Sequence, residues 1–266
     1  MTLAEMAVEV LTTADGRAKT ALSHAHAARW RTARAAGAPL AVGQASPPQR
    51  PARPEKPDLL DPREVPRRRP GSPLGRIALL HAVAHIELNA VDLHWDIIAR
   101  FTDTVMPLGF YDDWVQAADD ESKHFNLLCD CLETMGSHYG AMPAHAFMWQ
   151  AAEDTAADLL GRLAVVPMVL EARGLDVTPA TLERVRAAGD ENGAKILTRI
   201  LDDEIRHVAA GTKHFLRCAE LAQSEPESLW QNLVKRHFKG HVKPPFNDSA
   251  RLAAGLSRRF YEEIAL

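Results

Sequence analysis

Two glutamate-histidine pairs, each three residues apart, constrain this chain more than any other feature: Glu121 with His124, and Glu204 with His207. An aspartate precedes the glutamate in both copies, giving Asp120-Glu121-Ser122-Lys123-His124 and Asp203-Glu204-Ile205-Arg206-His207. Residues three apart on an α-helix stand on one face, so each pair offers a carboxylate and an imidazole to the same place. One such pair is common on any solvated helix. A duplicated pair, each copy within a long helical stretch, calls for a shared cause.

Each copy is matched by an isolated upstream glutamate: Glu87 precedes Glu121 by 34 residues and Glu171 precedes Glu204 by 33. Both lie in strongly apolar helical surroundings, Leu79 to Ile86 and Leu163 to Leu170. A carboxylate buried there without a partner would neutralise or cost several kcal/mol. Two divalent cations remove that objection. Four carboxylates and two neutral imidazoles balance the main charges of such a pair, in the pattern of one Glu from each of two helices and Glu-x-x-His from each of two others. The expected metal ligands are therefore Glu87, Glu121, His124, Glu171, Glu204 and His207. Glu121 and Glu204 are assigned as bridging and Glu87 and Glu171 as terminal, with one metal for each histidine. Oxygen and imidazole donors suit iron first and manganese second. No flavin or nicotinamide fingerprint accompanies them.

Around this set, Asp120 and Asp203 are expected to accept the outer N–H of a ligand histidine, with Arg206 pairing one of the aspartates. His81 and His85 share a face at i,i+4, from which they could line a cavity or relay protons. His94 and His214 read as packing or hydrogen-bonding residues. No tyrosine is assigned a radical role.

The helical pattern predicts a four-helix bundle, with long helices over 74–101, 110–139, 147–173 and 191–222. Gly174 is expected to cap the third, followed by a turn at Asp176-Val177-Thr178-Pro179 and a short helix over 181–188. Ten of the seventeen prolines fall between Gly37 and Gly75, where missing donors and extended neighbours preclude a helix or a central strand. The division predicted is an N-terminal helical segment (1–36) packing on the bundle, a proline-rich arm (37–75), the bundle (76–225) and a C-terminal helical extension (226–266). Arg50, Arg53, Lys56, Arg63, Arg67, Arg68, Arg69 and Arg76 make the arm basic. It reads either as a strap along the bundle or as a surface for RNA or an acidic partner.

A net charge of −4 gives no general sign of polyanion binding. Three cysteines, an odd number without metal-binding spacing, argue against a disulfide-built secreted fold. With no signal-peptide pattern and no membrane-length apolar run, a cytoplasmic protein without a membrane partner is expected.

The chain resembles the bacterial ferritin-like proteins of the family known as domain of unknown function 455. The resemblance is carried by Gly71-Ser72-Pro73-Leu74-Gly75-Arg76, His85-Ile86-Glu87-Leu88, the segment Asp120 to His124, Val169 to Asp176, Asp203 to Gly211, and Lys243-Pro244-Pro245-Phe246-Asn247. It covers most of the chain from about residue 50 onward. It implies a ferritin-like bundle with a dinuclear metal centre and, more distantly, kinship with di-iron oxygenases. The leading expectation is an oxygen-dependent oxidoreductase that hydroxylates or dehydrogenates an organic substrate, either a small molecule or RNA, and draws on an external electron donor. A ferroxidase-like or non-catalytic metal-handling protein, and a helical RNA- or protein-interaction module, are the alternatives. A homo-oligomer is compatible with each.

Overall fold

A computed structural model describes residues 1–61, 63–66, 71–145 and 148–266. Arg67, Arg68 and Arg69 of the basic arm, and Phe147, the expected start of the third helix, lie outside the described residues. The chain is predominantly helical, as expected, and its described sheet is a parallel ladder of two-residue strands, β1 (Leu59–Leu60) and β2 (Ala144–His145). It divides into two compact units: Met1–Trp149 with Arg184–Ile196, and Gln150–Glu183 with Leu197–Leu266. No helix among the described residues is long and apolar enough to cross a membrane.

In the first unit, α1 (Leu3–Thr12) opens on a capping box, Thr2 and Glu5 each satisfying the other's backbone N–H. Helix α2 (Gly16–Ala35) starts at Asp15, which accepts from the Ala18 N–H. Ser72 caps α3 (Pro73–Arg100), whose first residue is the proline that a helix tolerates at that position. Helix α4 (Leu108–Thr134) follows Pro107 and stops five residues short of the expected end. Gly136, at φ +73°, takes the left-handed conformation that turns the chain away.

Helix α3 packs on α4, α1 on α3 and α2 on α4. Leu80, Ala84, Val91, Trp95 and Ile98 are buried along α3, each large side chain contributing about 1.5–3 kcal/mol. The indole of Trp95 donates to Ser23 Oγ (2.8 Å), and that of Trp30 to Asp112 (2.8 Å), which fixes α2 by hydrogen bonds as well as by burial.

The arm is a strap within this unit. Its carbonyls at Ala41 and Val42 accept from the first turn of α1, the Ala52 N–H donates to Leu11 O, and Pro48 O accepts from Arg100. Prolines leave carbonyls that need outside donors, and these neighbouring elements supply them.

The second unit takes up the chain at Gln150, within α5 (Met148–Asp154), and continues through α6 (Leu159–Val165) and a π-helical stretch, Val166–Glu171. The expected single helix over 147–173 is thus interrupted. Asp158 caps α6 by accepting from the Gly161 N–H, and the buried Arg162 guanidinium is held by Thr155 Oγ1 and Ala152 O, both at 2.8 Å.

The helix neither caps at Gly174 nor turns at Asp176: α7 runs unbroken over Ala172–Ala187, with Pro179 inside it. Proline lacks the N–H that would bond the Leu175 carbonyl. Asn247 Nδ2 donates to that carbonyl instead, at 3.1 Å. Asp176, expected in a turn, is buried and accepts from Arg251 Nε (2.8 Å) and Nη2 (2.7 Å) and from the Asn247 N–H (2.9 Å). Tertiary partners thus replace what the local sequence lacks.

Helix α8 (Glu191–Leu221) matches its expected span and contributes residues to both units. At Gly211 a Cβ would lie 2.4 Å from Cβ and Cγ of Pro167, so the missing side chain admits the π-helical stretch. Short helices close the chain: α9 (Pro226–His237), α10 (Asp248–Ala253) and α11 (Arg258–Tyr261), followed by a 3-10 turn. Trp230 of α9 donates to Ala164 O (3.1 Å), and Phe260 of α11 packs edge-on against both Trp230 and Phe215.

Candidate metal centre

Helix α3 supplies Glu87 to the first unit's site, and α4 supplies Glu121 and His124, the i,i+3 spacing setting the latter two on one face. Nδ1 of His124 lies 3.0 Å from Glu87 Oε2 and 3.4 Å from Glu121 Oε2. One donor atom from each of the three falls within 4.8 Å of the others. Their exposures are 3% (Glu87), 0% (Glu121) and 1% (His124), so solvent does little to screen the two carboxylates from each other. Burial, and then the charge of Glu121, push the Glu87 carboxyl well above its usual range, against the opposing hydrogen bond from His124.

Two carboxylates and an imidazole converging in a dry interior are the donor types that oxygen- and nitrogen-ligated divalent cations take. The residues present fit such a cation.

His94, expected to pack or to hydrogen-bond, has its Nε2 3.8 Å from Glu121 Oε1. Its ring stacks on Trp114 with centroids 5.5 Å apart, which fixes its plane. A signal for it existed. His94 follows Glu87 by seven residues, two helical turns, and therefore shares its face.

In the second unit, Glu204 and His207 on α8 bring carboxylate and ring together, with Oε2 to Nδ1 at 3.7 Å. Glu171 ends the π-helical stretch, 8% exposed. One turn beyond it, the place a Cβ would occupy at Gly174 is 4.0 Å from the Glu204 carboxyl carbon. Among the described residues, Glu171, Glu204 and His207 do not form a three-donor group as tight as that of Glu87, Glu121 and His124.

The flanking acids hold basic side chains. Asp203 accepts from both Arg199 and Arg206, and Asp120 accepts from Lys123 at 3.2 Å. Beside it on α4, Asp119 pairs with Lys123 (2.9 Å), Arg31 (3.0 Å) and His24. Against its burial, these bonds lower its pKa to about 2.

His81 and His85 fall elsewhere. At 100° per residue, Glu87 is turned about 200° from His85, so the two histidines occupy the side of α3 away from the metal ligands. His81 Nε2 accepts from the Gly140 N–H (2.9 Å), and its ring stacks on Tyr139. His85 Nδ1 faces the Tyr139 hydroxyl (2.9 Å), while Nε2 faces both His145 O (3.1 Å) and Asn89 Nδ2 (3.2 Å). Burial lowers both pKa values to about 4, assisted by the charge of His138 at His81 and of Arg53 at His85. His85 also lines a cavity of about 260 Å³.

A protein-family model described as protein of unknown function (DUF455) matches residues 12–262, a span that contains every candidate ligand named above. The chain belongs to this family. A relative, an uncharacterized protein of Haemophilus influenzae, is 38% identical over 210 residues, covering 77% of this chain and 73% of its own. No solved structure matches.

Proposed function

We propose that this DUF455 protein is a dinuclear iron or manganese carboxylate protein of ferritin-like type, and that it acts as an oxygen-dependent oxidoreductase. The observation that carries the reading is the buried group of Glu87, Glu121 and His124, with its donor atoms within 4.8 Å of one another. The duplicated motif extends the ligand inventory to Glu171, Glu204 and His207. When bound, two redox-active metals would supply electrons for dioxygen reduction, with an external donor restoring them.

The chain's own side chains do the rest. Glu87 and Glu121 are buried and, once ionised, would offset the charge of a bound cation. His124 is held against both carboxylates through Nδ1, the ring atom that serves as a ligand once its proton is gone. Arg199 and Arg206 hold Asp203, next to Glu204, and so steady that turn of α8.

The test begins with protein loaded with Fe(II) or Mn(II) without oxygen, desalted and assayed for metal. The wild type should retain about two equivalents per chain and His124→Ala or His207→Ala fewer. Full retention in either variant removes that ligand assignment. Oxygen uptake by the iron-loaded protein then separates the two metal-based readings. Sustained uptake that requires an added electron donor supports the oxidoreductase, whereas a single stoichiometric burst supports metal handling.

A further inference from the structure

The proline-rich arm and the side of α3 away from Glu87 enclose the cavity of about 260 Å³, within the first unit. Its floor comes from α3, where His85, Leu88, Asn89 and Asp92 recur at helical spacing, and Tyr139 adds a wall. The arm closes it with Arg53 and with the apolar rings and chains of Pro54, Pro57 and Leu59. A buried polar floor facing apolar walls is the usual form of a small-molecule site.

The charges in this cavity do not cancel residue by residue. Asp92 is held by Lys19, whose Nζ also donates to Ala52 O at 3.0 Å. Asp58 is chelated by Lys56, at 2.8 Å and 2.7 Å to its two oxygens. Glu55 is exposed at the mouth, where water screens it. The histidine is neutral near pH 7, since its pKa is lowered to about 4.

Arg53 remains. It makes no ion pair with a carboxylate among the described residues, and its hydrogen bond, from Nη2, goes to Asn89 Oδ1 at 2.8 Å. Its charge is felt by Asp92, His85 and Tyr139 alike. A guanidinium carries five N–H donors in a planar fork that matches a carboxylate.

We infer that this cavity is a binding site for a small organic carboxylate with a compact apolar body, its anionic end on Arg53 and its body against Pro54, Pro57, Leu59 and Leu88. The volume suits a molecule on the order of ten non-hydrogen atoms, slightly below the usual range for larger ligands. The Tyr139 hydroxyl, 2.9 Å from His85 Nδ1, adds a polar group to the wall. Asn89 both steers Arg53 and anchors to the helix through Nδ2 to His85 O, at 2.6 Å. The site lies on the other side of α3 from Glu87 and stands whether or not the metal reading is correct.

The full-length protein is titrated with 4-fluorobenzoate and, separately, with the uncharged 4-fluorobenzamide, each followed by fluorine NMR line broadening. The expected result is saturable broadening by the acid, with the amide weaker by roughly tenfold or more, the scale of one charge-assisted contact. Arg53→Gln, which keeps an amide donor for Asn89, should weaken acid binding by roughly tenfold or more. Leu59→Trp, at an exposed rim position, should block the cavity even if Arg53→Gln does not fold. His124→Ala should leave acid binding within about twofold of wild type, since it lies on another face. Equal affinity for acid and amide, unchanged acid binding in the folded variants, or no saturable signal by about 20 mM would overturn the inference.

Discussion

His124 and Glu87 meet across two helices, Nδ1 to Oε2 at 3.0 Å, and their bond opposes the effect that raises the Glu87 pKa. A carboxylate whose folded pKa is raised contributes stability at low pH and loses it as pH rises. Without a cation, Glu87 is therefore a net cost at pH 7. In EDTA, Glu87→Gln should melt at the wild-type temperature or above it, by about 1 kcal/mol in stability. Added Mn(II) should raise the melting temperature of the wild type and leave that of the variant unchanged. A destabilised variant in EDTA, or an equal Mn(II) response, would contradict this account.

His81 and His85 act in the opposite sense. Their folded pKa values are lowered to about 4 from 6.5, so they contribute stability above pH 6.5 that is lost as pH falls through 4. Each should account for on the order of 2 kcal/mol of that acid limb. Asp92, raised to about 6, partly offsets it, because its contribution grows as pH falls below 6. Urea midpoints measured from pH 7 to pH 4 should fall more steeply for the wild type than for His81→Gln with His85→Gln. Parallel curves would mean that neither ring controls the transition.

Gly211→Ala places a methyl group 2.4 Å from Pro167. Pro167 is itself buried and its ring is rigid, so the two segments must separate. A loss of roughly 1–3 kcal/mol is expected from urea unfolding. A variant with wild-type stability would show that the π-helical stretch yields easily.

Asn247 donates to the carbonyl that Pro179 leaves without its helical partner. Asn247→Ser keeps an N-cap oxygen for α10 but loses this reach, and should cost about 1–3 kcal/mol. Pro179→Ala restores a backbone donor to α7. The cost of Asn247→Ser should therefore shrink in the Pro179→Ala background, as a double-mutant cycle would measure. Strict additivity would separate the two residues.

Helices α3 and α8 and the grouping of Glu87, Glu121 and His124 were legible in the sequence because both depend on periodicity. Helices α3 and α8 start and end within a residue or so of their expected spans, and Glu121 and His124 meet Glu87 within one unit. The failures share a physical origin. Gly174 and Pro179 are local stop signals, overridden by Asn247 and Arg251 from distant sequence. Asp119 also gathers bases from α2 and α4, and no spacing within α4 announces His24 or Arg31. His94 shares the face of Glu87 two turns further along α3.

The support of α7 by Asn247 has a consequence for synthesis. A chain leaving the ribosome makes Leu175 and Pro179 well before the asparagine that completes their helix, a separation of 72 residues between donor and acceptor. Until then the Leu175 carbonyl must take water, and Asp176 lacks the guanidinium of Arg251. A chain that stops before Asn247 leaves the Leu175 carbonyl without this donor and Asp176 without Arg251.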